Sequence, residues 1–121
     1  MTIWLKRIGL ILLIICLGTI IDYIVHHMSV YFSVPDSYFP HKIFYGTLWA
    51  FVGYLIFKKY IKTFFTLTFT LAVVPAVLLQ TMYFIQGHQL PLVVLLFLFL
   101  HFLMFLLPGY FICKKYQNLF I

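Results

Sequence analysis

The residues of this sequence that could do chemistry are few, and they stand inside apolar runs. Asp22 lies between Ile8 and Pro35, a stretch with no other Asp, Glu, Lys or Arg. His26 follows four residues on, which in a helix puts it on the same face one turn away. An ionisable group at the centre of a bilayer costs about 2.5–3.5 kcal/mol on an insertion scale, so such groups face the protein interior and find partners there. Gly18, Asp22, His26 and Ser29 form one polar stripe, expected to point inward.

Counting along each run suggests what meets that stripe. From an outer boundary near Ser33, Asp22 is 11 residues deep; from Pro91, His101 is 10 residues deep. Gln80 falls near the level of His26, and His88 lies in a polar turn above it. The expected site is therefore Asp22, His26 and His101, with Gln80 and His88 as outlying members, near or just outside the midplane. An acid with imidazoles can hold a proton, a transition metal or a small polar ligand. The spacing is not a metal signature, since it has neither HExxH nor a cysteine pair. The bland reading is an interhelical hydrogen bond. His41, Lys42 and His88 read as solvated loop residues, and His27 as facing the headgroups.

The elements that must position these residues follow from composition. The chain has 121 residues, 65% hydrophobic and 8% charged, with mean hydropathy +1.13. Soluble domains are about 45–50% apolar and about 25% charged. A soluble enzyme, a disordered chain and a nucleic-acid-binding domain are disfavoured, even at a net charge of +6. From Thr63 to Cys113 there are 51 residues without Asp, Glu, Lys or Arg. A crossing helix needs about 20 apolar residues, so this stretch holds two, separated by Gln86-Gly87-His88-Gln89-Leu90-Pro91.

The predicted fold is a single all-α transmembrane domain, an integral membrane four-helix bundle with spans near 8–33, 43–57, 63–85 and 91–113. The second span is short. Basic residues favour cytoplasmic loops. Four spans with both termini cytoplasmic put seven of the eight Lys and Arg residues inside and only Lys42 outside. Trp4, Tyr60 and Tyr116 fall near the inner boundary and Tyr38 near the outer one. Lys6 and Arg7 before an apolar run resemble a signal peptide, but no cleavage site follows, so an uncleaved anchor is expected. Cys16 and Cys113 differ in depth and are not expected to pair.

Three further features read as architecture. Gly46, Ala50 and Gly53 make a small-residue stripe for close helix contact, inside the monomer or between copies. Pro75 predicts a kink in the third helix. Thr63, Thr66, Thr68 and Thr70 can bond the carbonyls of the preceding turn.

The functional expectation is a multi-pass protein of the cell membrane with an outward-facing Asp and His cluster that binds or transports a proton, a metal ion or a small polar ligand. The alternative is a non-catalytic accessory subunit of a larger membrane complex. Lesser alternatives are an intramembrane enzyme, which lacks an evident nucleophile, and a haem protein using His26 or His27 with His101. The reading leans away from an enzyme. The expected partners are the bilayer and either a homo-oligomer or a larger complex. The sequence singles out no cofactor and no nucleic acid.

Overall fold

The computed structural model describes residues 2–28, 30, 34–86 and 91–121. It is all-α: α1 spans Thr2–His26, α2 Tyr38–Phe57, α3 Phe64–Ile85 and α4 Pro91–Phe120, with a 3-10 turn at Lys58–Tyr60 after α2. No strand occurs among the described residues. Without water, every backbone donor and acceptor must be satisfied within its own segment, and in an apolar run the helix does this.

The helices form a ring in which α1 packs on α2, α2 on α3, α3 on α4 and α4 on α1. Neighbours run antiparallel: Arg7 meets Leu119 while Asp22 meets His101 across α1 and α4. Trp4 meets Phe51 while Asp22 meets Lys42 across α1 and α2. The core is one apolar cluster, built on Ile11, Ile14 and Ile15 from α1, Ala50 and Tyr54 from α2, Leu67, Leu71, Ala72, Ala76 and Leu79 from α3, and Phe105 and Cys113 from α4.

The outside of the ring is at least as apolar as the inside. Ile20, Ile24, Phe65, Phe69, Leu95, Phe99, Leu107 and Phe111 are exposed, while Arg7, Asp22, His26, Lys42, Gln80 and His101 are buried. Soluble proteins arrange these residue types the other way round. Helices α1 and α3, and α4 from Leu95 onward, are long and apolar enough to cross a membrane, and they mark a membrane protein. Helix α2 is not among them; Pro40, His41 and Lys42 occupy its first turns.

Small residues let the helices approach. A Cβ added to Gly18 would stand 2.5 Å from Cδ1 of Phe105, and one added to Gly53 would stand 2.7–2.9 Å from the Val74 side chain. Gly46 meets Ile15 and Leu79. The stripe on α2 is thus spent on contacts inside the chain. Helix α3 opens with a reciprocal capping box between Thr63 and Thr66. Thr68 and Thr70 donate to the carbonyls of Phe64 and Thr66 at 2.7 and 2.8 Å. Pro75 is buried within α3, which continues through it. Near the end of α4 the backbone is non-helical at Tyr116 (φ −113°, ψ 22°). Cys16 and Cys113 are both free.

Helix α1 starts earlier and α4 ends later than the expected spans, and two further boundaries differ in a way that moves the site. Helix α1 ends at His26, where His27 and Met28 donate to the carbonyls of Ile24 and Val25, three residues back, in a tightened last turn. Ser33, expected near the end of this helix, lies outside the described residues. Helix α2 begins at Tyr38, five residues before the expected start. Pro40 is tolerated there because the first-turn amides have no helical acceptor.

Candidate functional site

Asp22 is the hub. Four residues before the end of α1, about 6 Å of helix, its side chain points into the ring and is completely buried. Helix α1 presents it there because Arg7, Ile11, Ile14, Gly18, Asp22 and His26 recur at three- and four-residue steps and all are buried.

Three elements converge on this carboxylate. The Lys42 ammonium of α2 lies 2.6 Å from Oδ2, with neither side chain exposed. His26, from the next turn of α1, brings Nε2 to 3.3 Å from Oδ1, and His101 of α4 brings Nε2 to 3.2 Å from the same oxygen. Either imidazole donates to Oδ1 when its proton is on Nε2. The carboxylate is thus divided, one oxygen for the ammonium and one for the two rings. Ligand atoms of Asp22, His26 and His101 all fall within 4.8 Å of one another.

Aromatic rings close the site. The Tyr38 hydroxyl is 3.4 Å from His101 Nε2, and its ring lies against Tyr83 of α3 with centroids 5.1 Å apart. Phe97 stacks on His26, with centroids 5.2 Å apart and planes 3° from parallel. Lys42 Nζ lies 5.4 Å from the Phe105 ring centroid and 5.8 Å from that of Tyr38, placing the cation against π faces as well as the carboxylate. A carboxylate so enclosed can hold charge only because its partners balance it; alone it would cost several kcal/mol.

The structure brings together Asp22, His26 and His101. Gln80 is buried, 2% exposed, but bonds to none of them, and neither its amide oxygen nor its nitrogen has a hydrogen-bond partner among the described residues. His101 Nδ1 is likewise without one. His88 lies outside the described residues. His41 and His27 are exposed, and His27 Nδ1 donates to the Tyr23 carbonyl at 2.8 Å.

One residue of the site overturns the reading of the sequence and a second adds to it. Lys42, expected in a solvated loop, is fully buried in α2 and is the nearest group to Asp22. Tyr38, expected at the outer boundary, supplies a hydroxyl to the cluster. The cause is the early start of α2. Once the helix includes residues 38–42, Tyr38 and Lys42 continue upstream the four-residue steps of Gly46 and Ala50, and the same face turns inward. The signal was Lys42 standing four residues before Gly46. Within α1 the carboxylate sits one turn before the last helical residue, His26.

A second polar group occupies the opposite end. Arg7 donates from Nε to the Leu119 carbonyl, and its guanidinium lies 4.6 Å from the Trp4 ring centroid. The Tyr54 hydroxyl donates to the Phe120 carbonyl at 2.7 Å. Both satisfy carbonyls in the last turn of α4, where the helix has no amides left to offer.

No protein-family model, curated protein or solved structure matches this chain. The functional reading rests on its own residues.

Proposed function

We propose that this is a four-span integral protein of the cell membrane, a single transmembrane domain with both termini cytoplasmic, that takes a small cation, a proton or a metal ion, from the outer side onto Asp22, His26 and His101. The observation that carries the reading is one buried carboxylate shared by two imidazoles and an ammonium drawn from three helices. Such a set can exchange one cation for another without leaving a bare charge in the bundle, which a simple packing contact does not need.

Sidedness is argued from charge. The antiparallel ring gathers Lys6, Arg7, Lys58, Lys59, Lys62, Lys114 and Lys115 at the Arg7 end, while Lys42, Asp22 and Asp36 belong to the other end. By the cytoplasmic preference of basic residues, the Asp22 end faces out. Helix α2 crosses as the fourth span because it is antiparallel to both neighbours and its one charged residue is neutralised inside the ring.

The test uses protein reconstituted in vesicles with a trapped pH dye, in buffer containing a metal chelator. After an external acid pulse the wild-type protein should acidify the lumen at least tenfold faster than Asp22→Asn, with both proteins shown to be folded and inserted. Equal rates for wild type, Asp22→Asn and empty vesicles would overturn a transporting role. If Asp22→Asn merely abolishes insertion, the cluster is a fastening between helices, as an accessory subunit would require.

A further inference from the structure

Tyr38 adds a fourth donor to the acid and two imidazoles, and three of the separations among these donors are close to those of a coordination sphere, with the acid and both imidazoles within 4.8 Å of one another. A zinc-class ion in a tetrahedral site holds nitrogen and oxygen donors at about 2.0–2.2 Å, which sets neighbouring donors about 3.3–3.6 Å apart. The observed separations are 3.3 Å for His26 Nε2 to Asp22 Oδ1, 3.2 Å for His101 Nε2 to Asp22 Oδ1 and 3.4 Å for the Tyr38 hydroxyl to His101 Nε2. The donors come from α1, α2 and α4, so the ring of helices fixes them as a set.

We propose that Asp22 Oδ1, His26 Nε2, His101 Nε2 and the Tyr38 hydroxyl form a site for a divalent transition-metal ion of the zinc class, with Lys42 as its tethered competitor. This deepens the cation-site reading above and rests on it. Imidazole and carboxylate donors suit zinc, copper, nickel or iron, whereas magnesium and calcium prefer oxygen alone. The ion would use Oδ1, which faces both rings. Lys42 holds Oδ2 and fixes the plane of the carboxylate as an outer partner does in metal sites. Its charge, on the neighbouring oxygen of the same carboxylate, also repels the incoming ion, and at such short range inside a protein that interaction is worth kilocalories rather than tenths. One carboxylate therefore serves two cations, one of them covalently tied to α2, and Lys42 sets the concentration at which the free ion enters.

The experiment uses the full chain in detergent, with cobalt(II) as the probe, since its visible ligand-field bands report tetrahedral coordination. Wild type should bind one ion per chain, and His101→Gln should lose the tetrahedral bands. Tyr38→Phe should keep binding but shift the bands, and Lys42→Met should bind at least tenfold more tightly. Absence of these bands in both wild type and Lys42→Met, each shown to be helical and monodisperse, would overturn the proposal. So would bands that survive unchanged in a folded His101→Gln. Because the vesicle assay is run under chelation, proton entry that persists alongside failed cobalt binding would remove the metal inference alone. Cobalt binding without proton entry would remove only transport.

Discussion

The two ends of the bundle face the same difficulty and resolve it differently. At one end Arg7 is a cation 9% exposed, and it is satisfied by a main-chain oxygen, the Leu119 carbonyl, with the Trp4 ring beside it. At the other, Asp22 and Lys42 are satisfied by side chains, each other's and those of His26 and His101. A carbonyl cannot change its charge or leave its helix, so the Arg7 end is a fixed cap. Carboxylate, ammonium and imidazole can each change partners, and on the proposal above the Asp22 end is where a cation would be exchanged. Burial alone does not mark a functional site; the ability of the partners to rearrange does.

The sharpest way to break this contrast is to remove one charge from the Asp22 end. Asp22→Leu leaves Lys42 buried without its counter-ion and should lose about 3–5 kcal/mol, read as the midpoint of denaturant unfolding in micelles. The double variant Asp22→Leu with Lys42→Met should recover most of that loss, because no uncompensated charge remains. A double variant as unstable as the single one would show that the imidazoles, not the ion pair, hold this end together.

Arg7→Met at the opposite end should cost less, about 1.5–3 kcal/mol for one charge-assisted hydrogen bond. The loss should be local, with faster amide exchange in the last turn of α4 and unchanged exchange around His101. Gly18→Ala, one turn from Asp22, forces a Cβ against the Phe105 ring and should cost about 1–3 kcal/mol. It separates α1 from α4, so it should also weaken cobalt binding, whereas Arg7→Met should not. The smallest effect is expected for Tyr54→Phe, about 0.5–1.5 kcal/mol from the hydroxyl that caps Phe120, measured in the same unfolding assay with the cobalt spectrum unaltered.

Much of the architecture was legible in the residues. Long uncharged runs demand helices, and the polar stretch with its glycine and proline divides the 51-residue run into two, as α3 and α4 do. The pairing of Asp22 with His26 is a matter of helical repeat, and His101 was found by counting depth. Lys42 and Tyr38 were not found. Their place depends on a helix start that Pro40 and His41 disguised, since these residues lower the local hydropathy and resemble a loop. Gln80 was brought into the expected site by depth, yet it bonds to none of the three, because depth along α3 does not fix the direction of its side chain.

The sequence by itself determined that the chain forms apolar helices and that Asp22 needs company, because a lone carboxylate is too costly in such surroundings and the helical repeat is local. Which side chains provide that company was decided only by the tertiary structure. The rotation of α2 is set by Gly46 and Gly53 packing on α1 and α3, a contact between segments far apart in the chain. That rotation carries Lys42 and Tyr38 inward to a carboxylate some twenty residues before them.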